Sequence, residues 1–341
     1  MTILVTGGLG YIGSHTVVEL INSGFDVVIV DDLSNSEKFI LDNIESVSGK
    51  RPIFYPFDLK RRELLSQLLD AHKIDGCINF AAFKAVGESQ EKPVDYYENN
   101  LFSLINLLQE FKERGVSNFI FSSSCTVYGQ ADKMPIDEST PLKPAESSYG
   151  RTKQMGEDIL IDFANAHKKK VSLLRYFNPI GAHPSAKLGE LPIGIPNNLV
   201  PFVTQTAAGI RKQLSIFGDD YPTEDGTAIR DYIYVVDLAK AHVKALEKLL
   251  KDPSDTLVDI YNLGTGKGSS VLEIVKNYEK ANNVSVPYVI SERRAGDITI
   301  AYADPSKAEK ELNWKADTPL EEALRTTWEW QKYLDSRKQQ V

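Results

Sequence analysis

At 341 residues the chain is long enough for one large α/β domain or two unequal ones, and a main domain with a smaller lobe is expected. Its 39 basic and 47 acidic residues leave a net charge of -8, which argues against a general nucleic-acid or anionic-membrane binder and leaves any anionic ligand to local arginines and amides. No apolar run approaches the roughly 18 residues that span a bilayer and no basic, apolar leader opens the chain, so a cytoplasmic protein is expected.

Residues 2–5 read as an apolar strand, followed directly by Gly7-Gly8-Leu9-Gly10-Tyr11-Ile12-Gly13. Gly7 permits a tight strand-to-helix turn, Gly10 lets backbone amides approach a pyrophosphate, and Gly13 lets the helix pack closely on the strand. The anion then sits on the helix N-terminus. A helix over 14–23, the turn residue Gly24 and a strand over 26–30 lead to Asp31-Asp32. An acid about 20 residues beyond the glycines is placed to bind both ribose hydroxyls of NAD and to repel the extra phosphate of NADP, so the predicted cofactor is NAD.

Strand-like runs over 52–56, 76–80, 118–122 and 171–177 alternate with amphipathic stretches. That rhythm predicts an α/β fold, a Rossmann-type doubly wound parallel sheet with a smaller C-terminal substrate-binding lobe. The segment 100–114 carries Leu101, Ile105, Leu108 and Phe111 along one face with Leu104 and Leu107 beside it, as a helix packed on a sheet would. Its surplus apolar width is either a dimer surface or further core. After Asn178 the pattern breaks into Gly- and Pro-rich loops over 179–198 and 218–227, which suit a substrate lobe on a rigid sheet. The expected division is 1–177 with a return segment at about 230–263 for the NAD domain, and 178–229 with 264–341 for the lobe. Gly264-Thr265-Gly266-Lys267-Gly268 lacks the Ser or Thr that follows the lysine of a phosphate loop and reads as a turn. Cys77 and Cys125 read as buried thiols, and the five histidines lack metal-ligand spacing, so no metal is expected.

The chemistry is predicted at Tyr149-Gly150-Arg151-Thr152-Lys153, at the start of a helix that begins after 144–148. Residues four apart share a helix face. A free phenol, with a pKa near about 10, is a poor base at neutral pH, and the Lys153 ammonium together with the positive nicotinamide favours phenolate. Upstream, Ser122-Ser123-Ser124 brings small hydroxyls to the carboxyl edge of the sheet, with Ser124 placed to hydrogen-bond the reacting oxygen.

On these residues the chain resembles the extended short-chain dehydrogenases/reductases, and within them the sugar-nucleotide epimerases, over nearly its whole length. The resemblance also rests on residues 80–89, Arg175-Tyr176-Phe177-Asn178-Pro179, Asn197-Asn198-Leu199, residues 216–227, Arg230-Asp231-Tyr232 and Arg293-Arg294-Ala295-Gly296-Asp297. It implies that NAD is touched by Tyr11, Ile12, Asp31, Asn35, Ser36, Asp58, Leu59, Phe80, Ala81, Lys84, Asn99, Ser124, Tyr149, Lys153 and Phe177. It implies a sugar nucleotide held by Asn178, Asn198, Leu199, Phe217, Arg230, Arg294 and Asp297, with Lys84, Ser124 and Tyr149 shared between the two ligands. The implied reaction is 4-epimerisation of UDP-galactose and UDP-glucose through a 4-keto sugar, by a homodimer joined through helices near 100–114 and 149–166. Arg293 stays open beside Arg294 as the diphosphate contact.

Two positions depart from the family pattern. Ala301 stands where a bulky tyrosine goes with hexoses lacking an N-acetyl group, so N-acetylhexosamines are also expected as substrates, unless a neighbour fills the space. Ala82-Phe83 stands where Gly-Leu is common. Rival readings are a UDP-glucuronate enzyme and a non-catalytic NAD-sensing protein. A dehydratase is disfavoured because Ser124-Cys125-Thr126 lacks the Asp-Glu pair that shuttles its proton.

Overall fold

Runs of Val, Ile and Leu that alternate to both sides of a pleat need cover on both faces, and here they form a parallel sheet. The computed structural model describes residues 1–294 and 297–338. Its strands are Thr2–Thr6 (β1), Asp26–Val30 (β2), Ile53–Tyr55 (β3), Gly76–Asn79 (β4), Asn118–Ser124 (β5), Lys170–Tyr176 (β6), Asn178–Ile180 (β7), Leu214–Phe217 (β8), Ile229–Arg230 (β9), Tyr232–Tyr234 (β10), Leu257–Leu263 (β11), Ser269–Ser270 (β12), Tyr288–Ser291 (β13) and Ile300–Ala301 (β14). The helices are Tyr11–Asn22 (α1), Phe39–Ser48 (α2), Arg62–Ala71 (α3), Val86–Glu91 (α4), Pro93–Tyr97 (α5), Ser103–Arg114 (α6), Ser148–His167 (α7), Leu199–Ala207 (α8), Val235–Lys251 (α9), Val271–Asn282 (α10), Ser306–Leu312 (α11) and Leu320–Lys338 (α12).

The main sheet runs β3-β2-β1-β4-β5-β6-β11 and is parallel throughout. Strand order reverses between β1 and β4, so the ligand crevice of a doubly wound sheet opens at their carboxyl ends. Successive residues of β1 serve opposite layers: Ile3 and Val5 pack with Val17, Leu20, Ile40 and Leu246 from α1, α2 and α9. Leu4 packs with Leu65, Leu68, Leu107 and Leu160 from α3, α6 and α7. The second, smaller core gathers Val203, Ile216, Tyr234, Ile274, Tyr278 and Leu324 from α8, β8, β10, α10 and α12. Two short sheets beside it, β12-β9-β14 and β13-β8, build the lobe from strands of two to four residues.

The structure alters one helix reading. Glu98–Phe102 forms a π-helical turn ahead of α6, held by Asn100, whose amide bonds Phe83 N at 2.7 Å, Phe83 O at 3.1 Å and Thr152 Oγ1 at 3.0 Å. The wide turn offsets the apolar face. Leu104, Leu107, Leu108 and Phe111 are buried, while Ile105 and Phe102 are 38% and 59% exposed, so the stripe drawn through Leu101 and Ile105 is split. No helix among the described residues is long and apolar enough to cross a membrane.

Candidate active site

The carboxyl ends of β1, β2, β4, β5 and β6 place the predicted residues around one crevice. Gly7 has φ +67°, and a Cβ there would meet Ala81 N at 2.8 Å; one on Gly13 would lie 2.2 Å from Gly7 O. Only glycine lets this loop close on itself and keep its backbone facing the crevice. Gly10 caps α1 without a side-chain bond, which leaves the first helical amides for a ligand. Asp31, just past β2, accepts hydrogen bonds from Leu9 N and Leu33 N, both at 3.0 Å, and from Ser36 Oγ at 2.7 Å. Burial raises its carboxyl against the pull of those bonds. Asn35 is exposed beside it, and Asp58 and Leu59 follow β3 on the same side. A glycine cradle, free helix amides and an acid at the next strand end are the set that holds a dinucleotide with unphosphorylated ribose.

Phe80 and Ala81 follow β4 directly, and Phe177 follows β6 in a buried cluster with Val127 and Tyr128. Tyr11 donates its hydroxyl to Gly181 O at 2.7 Å, and Ile12 packs on the lobe core, so the start of α1 joins the two units. Asn99 lies on the π turn and donates to Asn100 Oδ1 at 3.2 Å.

Ser124 ends β5, two residues beyond the predicted strand end, and accepts from Thr126 N at 3.3 Å. Ser147 caps α7 by accepting from Gly150 N at 3.1 Å, which starts the helix so that Tyr149 and Lys153 fall on one face beside Ser124. Burial pushes the Tyr149 phenol up, the Ser124 hydroxyl bonded to it pulls it down, and Cys125 pushes it up, leaving it at about 12. Lys153 is 4% exposed; its Nζ donates to Ser122 O at 2.6 Å and lies 4.9 Å over the Phe121 ring. Burial pulls Lys153 down and Glu157 pushes it up, for a value of about 8. Cys77 is a buried free thiol, whereas Cys125 is half-buried at the site itself.

Across the crevice, Arg230 on β9 sits opposite Ala301 on β14 and Ser269 on β12. It donates to its neighbour Ile229 O at 2.8 Å, and among the described residues it forms no ion pair. Arg294 makes a two-point pair with Asp297 at 3.0 and 3.2 Å and stacks 4.8 Å over Phe217. Arg293 is engaged in the same way, with Asp220 at 2.6 Å and the Tyr221 ring at 3.9 Å. Ala295 and Gly296 of that motif lie outside the described residues. Asn178 begins β7, bonded through its N to Asp231 O at 2.9 Å, and Leu199 begins α8 after Asn198.

Lys84 and Asn198 do not stand free: Lys84 Nζ pairs with Glu190 at 3.0 Å, and Asn198 Nδ2 donates to the same carboxylate oxygen at 2.6 Å. Glu190 ties the lobe loop to the segment after β4, and nothing in the spacing around it marked it. On its other side a cavity of about 750 Å³ is walled by Ile193, Val200, Ile210 and Trp330; Ser124, Tyr149 and Lys153 do not line it. Asp231 was also missed: its buried carboxylate accepts from Thr265 N at 2.9 Å, Thr265 Oγ1 at 2.7 Å, Gly266 N at 3.1 Å and Ala303 N at 3.1 Å. Among the described residues no group of three His, Cys, Asp or Glu could hold a metal ion.

Residues 4–327 match the family described as GDP-mannose 4,6-dehydratase. UDP-glucose 4-epimerase of Haemophilus influenzae is 51% identical over 333 residues, covering 97% of this chain and 98% of its own length. UDP-glucose 4-epimerase of Bacillus subtilis is 52% identical over 332 residues, with 97% of each covered. The crystal structure of UDP-glucose 4-epimerase from Bifidobacterium longum in complex with NAD+ and UDP superposes with a TM-score of 0.94 at 47% identity, covering 98% of both chains.

Proposed function

The chain belongs to the extended short-chain dehydrogenase/reductase family, alongside its UDP-glucose 4-epimerases, and we propose that it interconverts UDP-galactose and UDP-glucose with NAD as resident cofactor. The observation that carries this reading is Tyr149 and Lys153 on one face of α7 beside Ser124, with Arg230, which forms no ion pair among the described residues, near enough to act on the Cys125 thiol. The glycine loop, Asp31, Ser36, Phe80, Ala81 and Lys84 would hold NAD, which when bound accepts the C4 hydride, returns it and contributes a positive ring. Tyr149 takes the 4-hydroxyl proton and gives it back, and Ser124 holds the oxygen as it becomes a carbonyl. Lys153 keeps a positive charge beside the phenol and bonds the nicotinamide ribose. The 4-keto sugar turns about its bond to the diphosphate and presents its other face. Arg230 and Arg294 keep the diphosphate in place meanwhile, because guanidinium forks bind phosphate oxygens in two parallel charged bonds. Arg294 leaves Asp297 in part to do so, and Asn178, Asn198, Leu199 and Phe217 complete the uridine and sugar walls.

The dehydratase in the family description would need an acid pair beside Ser124, and Cys125-Thr126 stands there instead. Ala301 lies directly opposite Arg230 in register and carries no ring, which supports acceptance of the N-acetylated sugars as well. The exposed side chains of Phe102, Ile105 and Met155 on the π turn, α6 and α7 support a homodimer, and concentration-independent elution as a monomer would refute it. Free thiols at Cys77 and Cys125 suit the cytoplasm.

Anomeric-proton NMR of the purified protein, incubated without added cofactor with UDP-galactose and separately with UDP-N-acetylgalactosamine, tests the reading. Conversion of both to gluco forms is expected. Conversion of UDP-galactose alone would discard the Ala301 argument, and conversion of neither would overturn the reading.

A further inference from the structure

The three reacting side chains stand on a buried charge that the reaction as described does not use. Glu157 follows Lys153 by four residues, as Lys153 follows Tyr149, so the three share one face of α7. Its side chain is 1% exposed and holds Arg175 of β6 through two bonds, Nε to Oε1 at 2.9 Å and Nη2 to Oε2 at 2.5 Å. Oε1 also accepts from Ser123 Oγ at 2.5 Å. Ser123 precedes Ser124 in β5 and lies directly opposite Arg175 in register. Arg175 Nη1 donates to the Tyr128 hydroxyl at 3.0 Å, and that hydroxyl donates to Asn262 Oδ1 at 2.7 Å, so the pair is anchored on its far side. One carboxylate thus ties the helix that carries Tyr149 and Lys153 to the strand that carries Ser124.

We propose that Glu157 is a positioning residue of the reaction, fixing Ser124 against the Tyr149–Lys153 face and keeping Lys153 in its ammonium form. The proposal rests on the epimerase reading. Lys153 is buried with Ser122 O as its acceptor, and burial brings it to about 8 despite the upward pull of Glu157. Without that pull its value would fall further, and the phenol would lose part of the charge that favours phenolate. The other titratable groups facing the pair are Tyr149 on α7, Cys125 and Tyr128 after β5, and Arg175 and Tyr176 on β6. Burial holds the three phenols and the thiol neutral near pH 8, so Arg175 is the one further charge beside the Glu157–Lys153 pair among the described residues.

The test compares Glu157→Gln, which keeps the shape and removes the charge, with Glu157→Asp, which keeps the charge. UDP-galactose turnover is followed against pH, and the Lys153 ε-carbon resonance is titrated in lysine-labelled protein, with Lys153→Met supplying the assignment. In Glu157→Gln the alkaline limb of turnover and the Lys153 midpoint should both move down by about one pH unit, while Glu157→Asp leaves both near wild type. Ser123→Ala should lower turnover roughly three- to tenfold without moving the limb, since it loosens the clamp and keeps the charges. If Glu157→Gln fails to fold because Arg175 is left unpaired, Ser123→Ala, which leaves both charges in place, still tests the clamp. A folded Gln variant with both midpoints at wild type, or Ser123→Ala with full turnover, would overturn the proposal. A wild-type protein that does not epimerise at all would instead overturn the reading on which it rests.

Discussion

At the residue scale the reaction turns on a phenol that burial holds at about 12, too high to act as a base near neutrality without nearby positive charge. Lys153 supplies part of that charge through the protein and the cofactor the rest. Tyr149→Phe removes the one oxygen that moves the proton while leaving the ring in place, so kcat should fall by roughly 10³-fold or more. Cofactor released by denaturation should still match the wild-type amount. Near-normal turnover of that variant would end the assignment of Tyr149 as the base. The proposed determinant of substrate choice is a different residue. Ala301 faces Arg230 in the neighbouring strand, so Ala301→Tyr adds a ring beside the anchor for the diphosphate. Turnover of the N-acetylated sugars should drop at least about tenfold, within the range that pocket volume can discriminate, while UDP-galactose changes by less than about threefold. Equal losses on both would mean that Ala301 borders neither.

At the element scale, Asp231 shows why part of the site was invisible in the sequence. The turn Gly264-Thr265-Gly266 offers backbone amides that look fit for a phosphate, and the structure fills them with the protein's own carboxylate. The same carboxylate takes Ala303 N and so fixes β14 beside β9, where Ala301 and Arg230 face each other. Asp231→Asn puts a donor where four donors converge, so the variant should lose roughly 2 kcal/mol of stability and show a raised KM for the UDP-sugar with kcat less affected. An unchanged melting temperature and KM would refute this role. Six of the seven main-sheet strands were legible because Val and Ile runs end in turn residues, whereas β11 at Leu257–Leu263 was not read as a strand; the glycine loop, Asp31 and Tyr149–Lys153 were legible because each depends on local spacing. Strands β9, β12 and β14 have two residues each, too short for any periodicity. Glu190, Asp231 and Glu157 find their partners only after folding, across separations that no local pattern records. The π turn at Glu98–Phe102 was unreadable for a further reason, since it depends on Asn100 bonding to Phe83 and Thr152 across the fold.

Across the whole molecule, the response of stability to acid follows from two histidines sealed in the larger core. His15 on α1 and His242 on α9 are 1% and 0% exposed, each accepted by a backbone carbonyl one turn earlier and each with Nε2 unpartnered. His242 is wedged between Phe80 at 4.9 Å and Tyr176 at 5.4 Å, so it also braces the floor of the cofactor crevice. Burial lowers both to about 4 from the ordinary 6.5. A histidine whose folded value is depressed stabilises the protein above 6.5 and loses that contribution as pH falls from 6.5 toward 4, because the unfolded chain takes the proton first. The buried carboxyls of Asp31, Asp231 and Asp237 are raised and act in the opposite direction, in the lower carboxylate range, so the histidines govern the first part of the acid limb. Between pH 7 and 5.5 each histidine should cost roughly 1 kcal/mol, which a urea-unfolding series at the two pH values measures as a lower midpoint. His242→Gln cannot take up that proton, so its share of the acid loss should disappear, even though the variant starts from a less well packed core. If the midpoint is the same at pH 7 and 5.5, or if the variant keeps the full acid slope, the two histidines are not what limits this fold in acid.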